Sequence, residues 1–182
     1  ERSYLVVDTE TTGLLDPELV SIAIVSASGT PILNEHVRPA RPIEPDAGRI
    51  TGLDAAAVRD KPEFPMIEPA VTRALEGRLV CMYNVSYDLS ALTNTYGRYG
   101  LGLPPFETWC VMEWFARVYG DWNTKRGDYA WQPLAAAAAY FDVDQPVAHD
   151  ALEDALTTWR ILQAAIARGG FRVQGMEPLF DN

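Results

Sequence analysis

The amino-acid sequence predicts an α/β protein in which a mixed five-stranded sheet is flanked by helices. Three strand-like segments come first, separated by turns and loops, and strands then alternate with helical segments along the rest of the chain. With 182 residues, 48% of them apolar and 22% charged, the chain has the size and composition of one globular domain. We predict that this domain covers residues 1–170 and that residues 171–182 form a C-terminal tail.

The strands are predicted from short apolar runs and from the alternation of apolar with polar residues. The sequence SGTP, which follows the second run, is typical of a tight turn, so we expect the first three strands to form an antiparallel meander. The five predicted strands cover residues 4–7, 19–27, 32–37, 78–83 and 106–109.

The helices are predicted from apolar residues at helical spacing and from helix start and stop signals. Residues 120–129 are polar and are predicted to form a loop. The predicted helices cover residues 46–50, 54–59, 66–76, 87–100, 110–118 and 132–141, with a last long helix from residue 151 to the glycine pair at 169–170.

Charge and cysteine content narrow the possible functions. Fifteen Lys and Arg against 25 Asp and Glu give a formal charge of −10, which argues against broad adhesion to nucleic acid or anionic lipid. An acidic cleft can still accept nucleic acid if bound divalent cations invert its field. No segment approaches the ~18 apolar residues of a membrane span. Cys81 and Cys110 have no zinc-site spacing, so we expect free thiols and a cytoplasmic protein.

Two acids one residue apart follow the first strand, in the segment DTETTGL. Because side chains alternate along a strand, Asp8 and Glu10 are expected on one face and Thr9 on the other. Two such close carboxylates repel each other unless a proton or a cation lies between them, and Mg²⁺ and Mn²⁺ prefer oxygen ligands. The pair is therefore either a solvated strand end or half of a metal site.

Further acids stand at the starts of two predicted helices. Asp88 follows a buried strand, where favourable interaction with the helix dipole is the alternative to a role in a metal site. In the segment AHDALED, Asp150 and Glu153 have the spacing of a capping box, so Asp150 is predicted to cap the last helix. That assignment leaves His149 on a loop and Asp154 about one turn inside the helix.

The last helix is predicted to pack through an apolar stripe that does not include Asp154. Asp154 instead shares a flank with Thr158, Ile161 and Ala165, and an acid heading such a small and apolar flank is unusual for a solvated residue. The predicted stripe consists of Leu152, Ala155, Leu156, Trp159, Leu162 and Ile166.

Together the three acidic segments resemble the motifs of the DEDDh, or DnaQ-like, family of 3′→5′ exonucleases. DTETTGL is similar to the first motif and carries Asp8 and Glu10. YNVSYDLSAL is similar to the second and carries Asp88, and HDALED matches the third, with His149 and Asp154. The resemblance runs from residue 4 to about residue 165 and implies a ribonuclease H-like fold.

The resemblance is to the histidine branch of the family, because the tyrosine branch would place Tyr at position 150, where this chain has Asp. One departure stands in the second motif. The family commonly opens that motif with His-Asn, whereas this chain has Tyr83 and Asn84. The departure puts the substrate preference in doubt more than the catalysis.

The resemblance implies hydrolysis of phosphodiester bonds with two Mg²⁺ or Mn²⁺ ions. The four carboxylates would hold the ions, and His149 would act as general base, a role that suits a histidine side chain. Such an enzyme would release nucleoside monophosphates from single-stranded 3′ ends, and we expect DNA in preference to RNA. The implied metal ligands are Asp8, Glu10, Asp88 and Asp154.

The resemblance also implies contacts to the terminal nucleotide. The backbone after Glu10 would face that nucleotide, since glycine permits a close approach, and Leu14 would wedge against its base. Tyr87 is equally well explained as a core residue. The predicted contacts from these two motifs are Thr11, Thr12, Gly13, Leu14, Asn84 and Tyr87.

Two further segments are candidates for binding. Trp122, Lys125 and Arg126 combine an aromatic ring with cations, as single-strand binding requires, although an exposed loop without a role explains them too. Residues 174–180, QGMEPLF, loosely resemble the peptides by which bacterial replication proteins bind a sliding clamp, and a polymerase is another possible partner. A packed C-terminal segment is the alternative.

Two other functions compete with DNA trimming. The same chemistry would serve an oligoribonuclease or an RNA-trimming exonuclease, because discrimination of the 2′-OH depends on geometry. A catalytically silent nucleic-acid-binding module is the third candidate, and the presence of all five expected catalytic residues argues against it.

Overall fold

The structure is a computed structural model that describes residues 4–169 and the short strands at 171–172 and 177–178. The strands are β1 (Tyr4–Thr11), β2 (Leu19–Ser26), β3 (Pro31–His36), β4 (Leu79–Met82), β5 (Glu107–Cys110), β6 (Trp122–Asn123), β7 (Asp128–Tyr129), β8 (Phe171–Arg172) and β9 (Glu177–Pro178). The helices are α1 (Pro45–Thr51), α2 (Phe64–Leu75), α3 (Val85–Arg98), α4 (Val111–Tyr119), α5 (Leu134–Phe141) and α6 (Ala151–Ala167).

The main sheet has five strands in the order β3-β2-β1-β4-β5. β2 pairs antiparallel with both β1 and β3, whereas β1, β4 and β5 run parallel. The turn after β2 is short enough for a hairpin, and helical crossovers precede β4 and β5, as parallel pairing requires. The predicted mixed sheet with its antiparallel meander is therefore confirmed.

The central strand β1 is buried on both faces of the sheet. Tyr4 and Val6 join a core cluster with α4, α5 and α6, and Leu5 and Val7 join a second cluster with α2 and α3. A strand covered on both faces reads as a continuous apolar run, which is why the sequence pattern identified it.

The structure corrects the prediction of a helix at 54–59, where it has hydrogen-bonded turns. The carboxylate of Asp54 accepts hydrogen bonds from the backbone N–H groups of Ala56 and Ala57. Such a local side-chain bond gives the backbone an alternative to the helix, and a run this short cannot offset the cost of helix nucleation.

The structure also corrects the prediction of a loop at 120–129, which contains a small β-hairpin. Strands β6 and β7 pair antiparallel, and the Ala130 N–H closes the base of the hairpin on the Asp121 carbonyl at 2.7 Å. Gly127, with φ of 69°, adopts the left-handed conformation that the turn requires. We call residues 121–132 the arm.

Helix α6 packs on β1 and β2 through a face that only partly coincides with the predicted stripe. Ala155 and Leu162 of that stripe are buried, whereas its larger side chains at 152, 156, 159 and 166 are partly buried. Its buried face includes Asp154, Thr158, Ile161 and Ala165, the flank with the smaller side chains, whereas Trp159 is only partly buried. The Trp159 indole N–H donates to the Ala27 carbonyl at the end of β2. Small residues let the helix lie close to the sheet, which turns Asp154 inward.

Two further expectations concern the thiols and the tail. Cys81 and Cys110 are free, as predicted. Within the part of the chain that the structure describes, no helix is long and apolar enough to cross a membrane. Residues 174–180 lie outside the described residues except for the strand at 177–178, which pairs antiparallel with the strand at 171–172.

Candidate active site

Four carboxylates meet at the edge of the sheet where its parallel strands have their carboxyl ends, although they come from three different elements. Asp8 and Glu10 lie on the face of β1 that faces α6. β4 pairs with β1 only as far as Val6, so β1 continues beyond its parallel neighbour, and the chain after β4 turns into α3 beside it. Asp88 stands in the first turn of α3 and Asp154 in the first turn of α6.

Asp88 is buried and does not cap its helix. The N-cap residue is Asn84, which makes no side-chain capping bond, and Asp88 is only 3% exposed. Its Oδ1 accepts a hydrogen bond of 2.7 Å from the hydroxyl of Thr9, which lies on the other face of β1 from the acid pair. The structure thus gives Thr9 a function that sequence reasoning missed, and the only signal was a hydroxyl placed between two acids.

Asp154 is held by two hydrogen bonds from the loop before α6. The Gln145 side-chain amide donates to Oδ1, and the backbone N–H of His149 donates to Oδ2, both at 2.9 Å. Asp150 accepts from the Glu153 N–H at 3.0 Å, which confirms the predicted N-cap. Gln145 was not predicted, because nothing in its sequence context distinguishes it from other loop residues.

His149 is exposed and lies on that loop in the left-handed conformation, with φ of 62°. This conformation is uncommon for a residue other than glycine, and the bond from its N–H to Asp154 helps to hold it. His149, Glu10 and Asp154 each offer one ligand atom within 4.8 Å of the others. The arrangement can accommodate a divalent cation or a water molecule between an imidazole and two carboxylates.

The electrostatics of the site favour a cation. Burial, and then the charges of Asp88, Glu10 and Asp154, raises the pKa of Asp8 well above its usual range. Burial and the neighbouring acids raise the pKa of Glu10 to about 8. Burial raises the pKa of Asp88 to about 7, although the Thr9 hydroxyl bond opposes the shift. Four closely spaced carboxylates that resist ionisation together are a set of oxygen donors that suits a hard divalent ion.

The segment after Glu10 forms a buried floor beside the acids. Thr11, Thr12 and Gly13 are all buried. The Tyr87 hydroxyl donates to the Gly13 carbonyl at 3.1 Å and shares a hydrogen bond with the Thr11 hydroxyl. Tyr87 is half-buried, so the structure places it against this floor rather than in the core.

The other predicted contact residues lie on three different segments of the chain. Leu14 is 79% exposed on the loop that leaves the floor, and Asn84 is half-buried at the start of α3. Trp122, Lys125 and Arg126 lie on the arm, with Trp122 in β6 and the two cations in the turn that follows it. The sequence had grouped residues that the structure divides between the floor and the arm.

Comparison with known proteins places this site in a family. The sequence model of the RNase_T exonuclease family matches residues 5–162. The chain belongs to this exonuclease family. The match spans all three acidic segments and includes each of the residues that meet at the edge of the sheet.

Individual relatives of this exonuclease agree with the assignment. It is 33% identical over 178 residues to the uncharacterized exonuclease CP81 of Escherichia phage 186. The alignment covers 93% of this chain and 91% of that protein. Its structure is similar to that of exonuclease X in complex with 5′ overhanging duplex DNA, with a TM-score of 0.72 and 26% identity. The alignment covers 95% of this chain and 96% of that chain.

A second structural neighbour is E. coli exonuclease I in complex with a dA16 oligonucleotide, with a TM-score of 0.74 and 19% identity. The alignment covers 92% of this chain and 41% of that chain. These neighbours confirm the ribonuclease H-like architecture of the sheet and its helices.

Proposed function

We propose that this exonuclease removes nucleoside monophosphates from single-stranded 3′ ends, in DNA rather than RNA, with two divalent cations, Mg²⁺ or Mn²⁺. The observation that carries the proposal is the convergence of four carboxylates, three of them buried and Asp8 half-buried, with an exposed loop histidine at one edge of the sheet. The pKa values of these acids are raised, so the site is most stable with positive charge between them.

The residues divide into two roles. Asp8, Glu10, Asp88 and Asp154 would hold the ions. When bound, such ions lower the pKa of the attacking water and stabilise the charge that develops on the phosphate and the leaving 3′ oxygen. His149 accepts the proton of that water through an imidazole nitrogen, and its position on an exposed loop lets it pass the proton to solvent.

The floor residues orient the terminal nucleotide in this proposal. Their backbone faces the sugar, and the hydrogen bonds from Tyr87 hold the floor in place. Leu14 stands next to the floor with its side chain in solvent, so it is available to pack against the terminal base. The preference for DNA is supported by the DNA complexes of the two structural neighbours.

One assay tests the proposal. The protein is incubated with 5′-labelled and 3′-labelled strands of DNA and RNA, single- and double-stranded, with Mg²⁺, Mn²⁺ or EDTA. We expect 5′-labelled DNA to shorten as a ladder and 3′-labelled DNA to release its label at once as a mononucleotide. EDTA and the Asp88→Asn substitution should both abolish the products.

Other outcomes identify the competing functions. Faster trimming of RNA than of DNA of the same sequence would make the protein an RNA-processing enzyme. Binding of the strands without cleavage under every metal condition would make it a silent binding module. Early loss of the 5′ label would contradict the proposed polarity.

We also propose that residues 174–180 bind a partner, and this proposal rests on their resemblance to clamp-binding peptides. The full chain and its Leu179→Ala/Phe180→Ala variant are compared for binding to an immobilised bacterial sliding clamp. Equal binding of the two proteins, or none by either, would reject the proposal.

A further inference from the structure

The tip of the arm presents two adjacent cations on an ordered turn. The Asn123 side-chain oxygen accepts hydrogen bonds from the backbone N–H groups of Lys125 and Arg126, at 3.1 and 3.2 Å. Both side chains are exposed, and neither forms an ion pair with an acid among the described residues. In a chain of net charge −10, an ordered turn that holds two unpaired cations is suited to an anionic ligand.

Exposed aromatic rings accompany these cations. Trp122 is 53% exposed and meets Tyr129 edge to face, with ring centroids 5.1 Å apart. Trp131 is 48% exposed, and the Arg126 guanidinium lies 4.3 Å from the centroid of its ring. Flat rings next to guanidinium groups are the surfaces on which the bases of single-stranded nucleic acid stack while the cations contact phosphates.

Among the described residues, one hydrogen bond ties the arm to the edge of the sheet that carries the acids. The Tyr83 hydroxyl donates to the Gln132 carbonyl at 2.7 Å. Gln132 is two residues from Ala130, which closes the hairpin, and two residues span at most about 7 Å. Tyr83 directly precedes Asn84, the N-cap of the helix that carries Asp88. It is also the position at which the second motif departs from the His-Asn of the family.

We propose that the arm is a second binding surface for single-stranded nucleic acid, which holds bases and phosphates upstream of the 3′ terminus. In this proposal Tyr83 positions the arm beside the edge of the sheet that carries the acids. The inference rests on the proposed function, because it assigns the arm to the same substrate strand. Trp122 and Trp131 stack bases, and Lys125 and Arg126 contact two phosphates.

Binding measured without turnover tests the arm independently of catalysis. The intact protein in EDTA is titrated against a fluorescently labelled 20-nucleotide oligo-dT at several salt concentrations. Loss of two phosphate contacts in Lys125→Ala/Arg126→Ala should reduce the slope of log K against log salt by about 1.4 and weaken binding at least about tenfold at low salt.

The chain offers a matched control for the change in charge. Arg73 and Arg78 are exposed, lie near the start of β4 at the opposite edge of the sheet, and form no ion pair among the described residues. Arg73→Ala/Arg78→Ala removes the same two charges and should leave both the affinity and the salt slope unchanged. Equal effects of the two double variants would overturn the proposal, because net charge alone would then explain the loss.

Stacking and positioning are tested by the dependence on strand length. Trp131→Ala should lower kcat/KM on a 20-nucleotide strand relative to a trinucleotide by about fivefold or more, and Trp131→Phe should restore most of the ratio. Tyr83→Phe keeps the buried ring and removes the hydroxyl, so it should lower the same ratio through KM. A length-independent loss in Tyr83→Phe would mean a structural role only and would overturn the assignment of Tyr83.

The two proposals fail in different ways. If the arm variants bind and degrade long strands as the wild-type protein does, the arm has no such function, while the proposed exonuclease activity stands. If no strand is cleaved under any condition but the arm variants lose binding in EDTA, the arm is a nucleic-acid-binding surface and the proposed activity is wrong.

Discussion

At the scale of single residues, the buried carboxylates depend on neighbours that are not themselves acids. Asp88 is almost fully buried, and the hydroxyl of Thr9 donates to it from the opposite face of β1. A buried carboxylate that loses such a donor is harder to ionise and less well oriented. Thr9 is therefore expected to support the site although it does not face it.

Thr9→Val tests this support. The variant removes the donor to Asp88 and keeps the β-branched shape, so metal affinity or turnover should fall by about 10- to 100-fold. Thr157→Val is the matched control, because its hydroxyl is fully buried without a hydrogen-bond partner among the described residues. The control should be neutral or slightly stabilising in urea unfolding and unchanged in turnover. Equal losses in both variants would contradict the role of Thr9.

His149→Ala separates catalysis from stability. The side chain is exposed on a loop, so the free energy of unfolding should change by less than about 0.5 kcal/mol. Turnover at saturating metal should fall by about 10²- to 10⁴-fold, as expected for loss of a general base. Single-turnover cleavage of a labelled strand measures the loss, and wild-type rates in the folded variant would refute the role of His149.

At the scale of elements, the first turn of α6 combines a structural and a chemical task. Asp150 caps the helix through the Glu153 N–H, and one turn later Asp154 faces the sheet. The cap fixes where the helix begins, and this start sets the direction in which Asp154 points. The small residues on the buried flank then let the helix lie close enough for Asp154 to reach β1.

Substitution of the cap tests this arrangement. Asp150→Ala should lower the free energy of unfolding by about 1 kcal/mol, whereas Asp150→Ser, which keeps a capping oxygen, should recover most of the loss. Urea unfolding of the metal-free protein measures both variants. If Ser is as destabilising as Ala, the contribution of Asp150 does not come from capping.

At the scale of the whole molecule, three elements are brought together around mutually repelling acids. The pKa values of Glu10 and Asp88 are raised to about 8 and about 7, against about 4 for carboxyl groups in an unfolded chain. Between these values the folded protein holds protons that the unfolded chain has released. The contribution of these two groups to the stability of the metal-free protein is therefore complete below about pH 4. It is lost as the pH rises from about 4 to about 8.

Thermal unfolding with and without metal measures this effect. The Tm of the EDTA-treated protein should fall from pH 5 to pH 8, and Mg²⁺ or Mn²⁺ should raise it by about 5 °C or more at pH 8 and by less at pH 5. Asp88→Asn should flatten the fall in the metal-free protein. The exposed Asp60→Asn, which changes the net charge equally, should not. If the difference in Tm between the metal-bound and the metal-free protein does not grow with pH, the electrostatic account is contradicted.

The limits of prediction from sequence are visible in particular segments. The predicted helix at 54–59 was wrong because the Asp54 carboxylate accepts hydrogen bonds from the backbone, and these bonds compete with a short helix. The arm was taken for a loop because strands of two residues leave no periodicity to detect. The predicted packing face of α6 was only partly right, because the largest apolar side chains were assumed to be the most buried, whereas the buried face also includes the flank with Asp154, Thr158 and Ala165.

The sequence by itself determined the order and type of the main elements, the burial of the central strand and which acids the structure would bring together, because these depend on local patterns of side chains. Only the tertiary structure decided what those acids contact. Thr9 and Asp88 are 79 residues apart in the chain, and Tyr83 and Gln132 are 49 apart. Contacts over such separations depend on how helices cross a twisted sheet, and no local pattern encodes that geometry.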